Sequence, residues 1–188
     1  MFENIRSDIT RAYGKGKRTR AVDDLAVIWK SYGLQALIIY RFGRWLGDVH
    51  KRRFGWVIAA PLSPVYRLLS AGVRKAYDIH LSQSAEIGPG LYISHFGGIE
   101  VRNCRIGPYS AIYQQVKLGP ADPAQRGPVL GERVFVGANA QIRTEVTVGD
   151  RAAIGVGAVV TQDIPDHCLV LGNPGRIAQR DYDNRPVL

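Results

Sequence analysis

At 188 residues, 46% of them hydrophobic, the chain is long enough for one domain with a real core and too apolar to be disordered. Its net charge of +9 is uneven: residues 1–77 hold 15 Lys and Arg against 5 Asp and Glu, whereas residues 78–188 hold 10 against 11. Two cysteines, Cys104 and Cys168, make no disulfide framework, and the opening MFENIRSDIT lacks the basic-then-apolar layout of a secretory leader, so a cytoplasmic protein is expected.

Residues 1–80 read as a basic, largely helical segment. Asp23-Asp24 is expected to cap a helix through LAVIWKSYGLQALIIYRFGRWLG, with Gly47 as its stop. The stretch FGWVIAAPLSPVYRLLSAGV, residues 54–73, carries Arg67 as its only charge and has the length of a membrane span. Pro61 and Pro64 argue against an uninterrupted span. Trp29, Trp45, Trp56 and the flanking Lys51-Arg52-Arg53 suit an interfacial helix better, so peripheral contact with the inner face of a membrane through residues 1–77 is one expectation. The other is that these helices pack on the first coil of the following domain or at a trimer end. No nucleic-acid reader motif accompanies the charge, and no nucleic-acid partner is expected.

From residue 81 to 164 aliphatic residues recur every six positions. Leu81, Ile87, Ile93 and Ile99 are followed, after one extra residue, by Ile106, Ile112 and Leu118, and the series resumes with Leu130, Val136, Ile142, Val148, Ile154 and Val160. Glycine follows directly at positions 88, 107, 119, 131, 137, 149 and 155. A period of six fits neither a helix nor a plain alternating strand. It fits a solenoid in which each hexad makes a short strand and a turn, and three hexads make a triangular coil. The expected fold is therefore an all-β, left-handed parallel β-helix of about four to five coils with an N-terminal α-helical extension. The Pro- and Gly-rich run 119–128, with Ala124 at a core position, reads as a loop leaving the prism. Residues 165–188 read as an exit strand with a Gly-Asn-Pro-Gly-Arg turn and a poorly ordered tail, DYDNRPVL.

Of the four histidines, His50, His80, His95 and His167, no two are spaced for an obvious metal site, and no metal is expected. His95 stands two positions after the inward Ile93, which turns it away from the sealed core. Counting three hexads forward brings Gln114 above it, and the coil before places Tyr77 beneath it with Asp78 adjacent. A histidine on a strand beside a carboxylate and an amide suits general-base work, because its ordinary pKa of about 6.5 lies near working pH. The same placement also suits an exposed polar residue on a coil face.

The stretches Ile93-Ser94-His95-Phe96-Gly97-Gly98-Ile99, Gln114, Val136-Gly137-Ala138-Asn139-Ala140, Ile154-Gly155-Val156-Gly157-Ala158-Val159-Val160 and Leu171-Gly172-Asn173-Pro174-Gly175-Arg176 resemble the serine acetyltransferase branch of the hexapeptide-repeat acyltransferases. The likeness runs over roughly residues 34–180 and includes the lead-in Tyr40-Arg41-Phe42-Gly43-Arg44-Trp45-Leu46. It implies that the histidine matching His95 deprotonates an acceptor hydroxyl, which attacks the thioester of acetyl-CoA directly, without a metal or a covalent enzyme intermediate. It also implies a homotrimer, with acetyl-CoA in a groove between subunits. The implied cofactor positions are Gly119, Gly137, Ala138, Gly155 and Val156 along the pantetheine, Thr161 and Gln162 near the adenosine, and Arg176 and Arg180 near the phosphates. Gln162 replaces a lysine of that branch, which weakens one phosphate contact.

Three departures concern the acceptor. Ser94 stands where the branch has an acid that helps hold serine, Arg126-Gly127 stands where it has Arg-His, and the carboxylate that orients the histidine aligns with His80, leaving Asp78 as its substitute. Loss of a charge-assisted contact costs about 1.5–3 kcal/mol. The expected acceptor is therefore a sugar or polysaccharide-precursor hydroxyl, as in relatives that modify surface polysaccharides. The alternatives are free serine and a non-catalytic trimeric scaffold.

Overall fold

A strand of two residues cannot stand alone, and here every short strand is held by the one a full turn later. The computed structural model describes residues 2–12, 27–94, 97–122 and 124–188. Its strands form three sheets, the faces of a triangular prism. The first face holds β1 (Ile79–Leu81), β4 (Ile99–Val101), β7 (Lys117–Leu118), β10 (Gln141–Ile142) and β13 (Val159–Val160). The second holds β2 (Glu86–Ile87), β5 (Arg105–Ile106), β8 (Val129–Leu130) and β11 (Thr147–Val148), extended by a bridge from Val148 to Ile164. The third holds β3 (Tyr92–Ile93), β6 (Ala111–Ile112), β9 (Phe135–Val136), β12 (Ala153–Ile154) and β14 (Leu169–Leu171), edged by the antiparallel β15 (Arg176–Gln179). All other pairings are parallel, and the result is a left-handed β-helix of five coils whose axis is filled by buried aliphatic side chains.

The register corrects the phase of one hexad. Ile93 pairs with Ile112, nineteen residues on, whereas Val101 pairs with Leu118, only seventeen on. Val101, rather than Ile99, therefore fills the inward position continued by Leu118, Ile142 and Val160, and Ile99 is a second buried residue on the same strand. The coil carries two extra residues between Ile93 and Val101, in the segment 94–98. That expansion is invisible to a count of aliphatic residues, because Ile99 stands six positions after Ile93.

The prism has open carbonyls at its first coil, and the helical segment closes them. The helices are α1 (Phe2–Ala12), α2 (Tyr32–His50) and α3 (Trp56–Tyr77). From α2, Tyr40 donates its hydroxyl to the Ala85 carbonyl at 2.6 Å, and the Arg41 guanidinium donates to the Ile87 and Gly88 carbonyls. Arg41 also pairs with Asp8 of α1 at 3.1 Å, and Asp8 accepts the Gly90 N–H at 2.8 Å. Both members of the pair are buried, and burial pushes the Asp8 carboxyl up, against the opposing pull of Arg41 and the Gly90 amide.

Four expectations change. The helix expected from residue 25 to 47 is broken at Ser31, whose hydroxyl accepts the Leu34 N–H and caps α2; Asp23 and Asp24, expected as the cap, lie outside the described residues. The helix passes through the exposed Gly47 and ends at His50, since a single helical glycine costs only about 1 kcal/mol. Pro61 and Pro64 interrupt nothing: α3 is continuous, with both prolines on its exposed side. Finally, the C-terminal tail is anchored. Buried Asn184 donates to the Arg133 carbonyl at 2.7 Å, and the Tyr182 N–H donates to the His167 carbonyl at 2.7 Å.

Arg41→Ala leaves Asp8 buried without its partner and uncovers two carbonyls of the first coil. Removing one member of a buried pair costs about 3–5 kcal/mol, so the midpoint of denaturant unfolding falls sharply. A loss below about 1 kcal/mol, the range of an exposed pair, would show that the cap contributes nothing to the prism.

Candidate active site

The chain passes from the third face to the first at one corner of the prism, through residues 94–98, 113–116, 137–140 and 155–158. The pairings Ile112 with Val136 and Val136 with Ile154 stack Gln114, Ala138 and Val156 in successive coils, about 4.8 Å apart. A backbone ladder fixes the corner: Gly97 O accepts from Gln115 N–H at 2.8 Å, Gln114 O from Asn139 N–H at 2.9 Å, and Ala138 O from Gly157 N–H at 2.8 Å. Val156 is 73% exposed at the outer edge, and Ala138 is half-buried. The Gln114 Oε1 is buried and has no hydrogen-bond partner among the described residues.

His95 and Phe96 lie outside the described residues, but the residues around them are well tied. Ser94 N–H donates to the Ile112 carbonyl at 3.1 Å, and Gly97 N–H donates to the Tyr77 carbonyl at 2.9 Å. Gly97 and Gly98 have φ of 104° and 65°, which lets the expanded segment fold back onto the strand line. Tyr77 therefore pairs with Gly97 and not two residues earlier, as counting in hexads implied; the expansion accounts for the shift.

Asp78 closes the same segment from below. It ends α3 in the left-handed conformation, with φ of 52°, and accepts the Gly98 N–H on Oδ2 at 2.8 Å. Its other oxygen lies 3.1 Å from Nε2 of His80. His80 is thus the partner of Asp78 and not a replacement for it, and the carboxylate stands at the loop that carries His95.

Apart from Arg176 and Arg180, the remaining positions suggested by the resemblance fall on two corners. Gly137, Ala138, Gly155 and Val156 share the corner just described. The amides of Gly137 and Gly155 donate to Ile154 and Val170 at 2.8 Å each, so both are committed to the coil ladder. Gly119, Thr161 and Gln162 lie at the corner between the first and second faces. There Gly119 has φ of 96°, its N–H donates to Ile142 at 2.9 Å, and a Cβ would collide with the Arg102 carbonyl. The loop 119–128 leaves the prism at this corner, with Ala124 exposed, and Asn103 holds it through the Gln125 carbonyl. Arg126 pairs loosely with Glu145 at 3.7 Å. Arg176 lies on β15 and Arg180 just beyond it; both are exposed, without an ion pair among the described residues.

The two corners flank the first face, whose outward side chains are in register: His80, Glu100, Lys117, Gln141 and Val159. Glu100 holds Arg102 and, at 3.6 Å, Arg143. Reasoning from sequence missed Glu100, Lys117 and Gln141. Their signal was a polar residue directly before each inward aliphatic residue of this face. The third corner carries Arg133, Arg151 and His167, and it is covered by Arg11 of α1 and the C-terminal tail. Among the described residues, the other two corners carry no comparable cover.

The five-coil prism with a polar face between two open corners defines a hexapeptide-repeat transferase. Residues 127–162 match the bacterial transferase hexapeptide family (six repeats). A serine acetyltransferase of Synechococcus elongatus is 32% identical over 183 residues, which is 96% of this chain and 70% of that protein. One from Helicobacter pylori is 36% identical over 152 residues, 79% of this chain and 82% of that protein. A solved serine acetyltransferase in complex with CoA superposes with a TM-score of 0.71 at 27% identity, covering 94% of this chain and 68% of that one. The chain belongs to the hexapeptide-repeat acyltransferases, in the branch of the serine acetyltransferases, and is an acyltransferase that uses acetyl-CoA as co-substrate. These relatives are named for serine, so the expected likeness to polysaccharide O-acetyltransferases finds no support among them.

Asp78→Asn removes the charge from the loop while keeping an oxygen that accepts the Gly98 N–H and a residue that tolerates the left-handed conformation. The turnover number for acetyl transfer falls by tenfold or more, part of the 10²–10⁴ that a general base supplies, with the KM for acetyl-CoA nearly unchanged. A fully active variant would remove Asp78 from the catalytic apparatus.

Proposed function

We propose that this protein transfers the acetyl group of acetyl-CoA to the hydroxyl of L-serine as a homotrimer, with His95 as general base and Asp78 as its positioning partner. The observation that carries the reading is the extent of the likeness to the Synechococcus elongatus serine acetyltransferase, 96% of this chain at 32% identity. The geometry is compatible with it. Ser94 offers no charge to a serine ammonium, but Asp78 brings a carboxylate to the same loop with its side chain 64% exposed.

In this reading His95 takes the hydroxyl proton as the oxygen attacks the thioester carbonyl. The tetrahedral centre collapses with cleavage of the C–S bond, and the imidazolium returns the proton to the CoA thiolate. The products are the acetyl ester and free CoA. Holding donor and acceptor in register on one rigid corner supplies a share of the barrier comparable to or larger than that of the base. A second reading, transfer to a sugar hydroxyl, is favoured by one observation, the uncharged Ser94 where serine would meet an acid.

Release of CoA thiol separates these readings. The protein adds no signal of its own, because Cys168 is buried and burial pushes the Cys104 thiol up to about 12. Release with L-serine outruns release with nucleotide- or lipid-linked sugars, and His95→Ala lowers turnover by about 10²–10⁴ while acetyl-CoA affinity is retained. Faster release with sugars would replace the acceptor, and no release with any acceptor would leave a scaffold.

A further inference from the structure

Helix α3 is two-sided in an unusual sense. Its inner side packs on α2: Ala59 is 1% exposed, Tyr66 meets the Phe42 ring edge-on at 6.3 Å, and the Gln83 amide donates to the Tyr66 hydroxyl at 2.8 Å. Its outer side, opposite these contacts, carries Val57, Pro61, Val65, Leu68 and Gly72 at helical spacing. Leu68 is 75% exposed, and Ile58 and Leu69 widen the same strip on one side. Where a solvent-facing helix presents charge, this one presents an apolar band with Arg67 at its margin.

The charges stand at the two ends. Lys51, Arg52 and Arg53 precede the helix and Arg74 and Lys75 close it. Only Lys51 has an ion pair among the described residues, with Asp48 at 3.5 Å. Trp56 sits at the first turn beside the exposed Phe54. An apolar strip framed by exposed cations and an exposed tryptophan at the first turn matches the headgroup and acyl boundary of an anionic bilayer. Docking the strip on a second copy of itself would bring two sets of cations together, which disfavours that occupant. A full span is also unsuitable, because α2 covers one side of the helix and acyl chains could not surround it.

We infer that α3 is a peripheral membrane-docking surface, lying in the plane of an anionic bilayer with its Val57–Leu68 side embedded and its basic ends at the phosphates. The helix spans roughly 33 Å, so the strip offers several turns of continuous apolar contact. Acetyl transfer proceeds with or without this contact.

Co-sedimentation of the full chain with vesicles of phosphatidylglycerol and phosphatidylcholine in equal parts, and with phosphatidylcholine alone, tests the inference. The protein pellets with the anionic vesicles, less so at high salt, and its tryptophan emission shifts to shorter wavelength. Val65→Glu with Leu68→Glu lowers partitioning at least tenfold. Lys51→Gln, Arg52→Gln and Arg53→Gln together lower it roughly a hundredfold, at about fivefold per cation. Both sets leave acetyl transfer unchanged, which shows that the variants are folded. Protein that stays in solution with anionic vesicles overturns the inference, as does equal binding by the variants. A smaller assembly on ultracentrifugation of the Leu68→Glu protein, with vesicle binding intact, would assign the strip to a second copy.

Discussion

Every other feature of this molecule depends on the stacking of one inward aliphatic residue over another, coil upon coil. Burying a Leu, Ile or Val side chain contributes about 1.5–3 kcal/mol, and the axis holds an unbroken column of them on each face. The same stacking aligns the backbone, so each two-residue strand finds its partner one turn away. Because both neighbours are needed, an end coil is incomplete, which is why Tyr40 and Arg41 occupy the carbonyls of the first one.

This column constrains where function can be placed. Side chains that point inward are spent on the core, and the amides of Gly119, Gly137 and Gly155 are spent on the ladder. What remains for chemistry is the corners and the outward faces. One corner is closed by α1 and the C-terminal tail, and among the described residues the other two stay open on either side of a polar face. The expanded segment 94–98 is the place where the coil departs from its own period; Asp78 accepts the Gly98 N–H from the coil below, and the Gln115 N–H donates to the Gly97 carbonyl from the coil above. A departure from a strict repeat that is held in place by hydrogen bonds on both sides is a natural location for a reacting group.

The period of six was enough to read the solenoid, because inward burial is a local property of each hexad; it stopped at residue 164, whereas β14 (Leu169–Leu171) pairs parallel with β12 and completes the fifth coil. Pairing register is not local. Ile99 is aliphatic, buried and six residues after Ile93, so nothing in the chain marked Val101 as the true hexad residue until β4 met β7. The displaced pairing of Tyr77 follows from the same two residues. The proposed cofactor positions rest only on likeness to a family, and the division of Gly119, Gly137, Ala138, Gly155, Val156, Thr161 and Gln162 between two corners emerged from the three-dimensional path. The anchored tail was missed because the partner of Asn184 is the backbone of residues far away in sequence, whose free carbonyls no side-chain pattern reveals.

We propose that acetyl-CoA lies in a groove between subunits, lined by the two open corners of the prism. Hydrogen exchange of the backbone amides with and without acetyl-CoA tests it most directly. The account predicts added protection at residues 94–98, 113–116, 137–140 and 155–158 and at 119–128 and 161–163, with none at the covered corner around Arg133, Arg151 and His167. Protection concentrated at that covered corner, with the open corners unchanged, would contradict it.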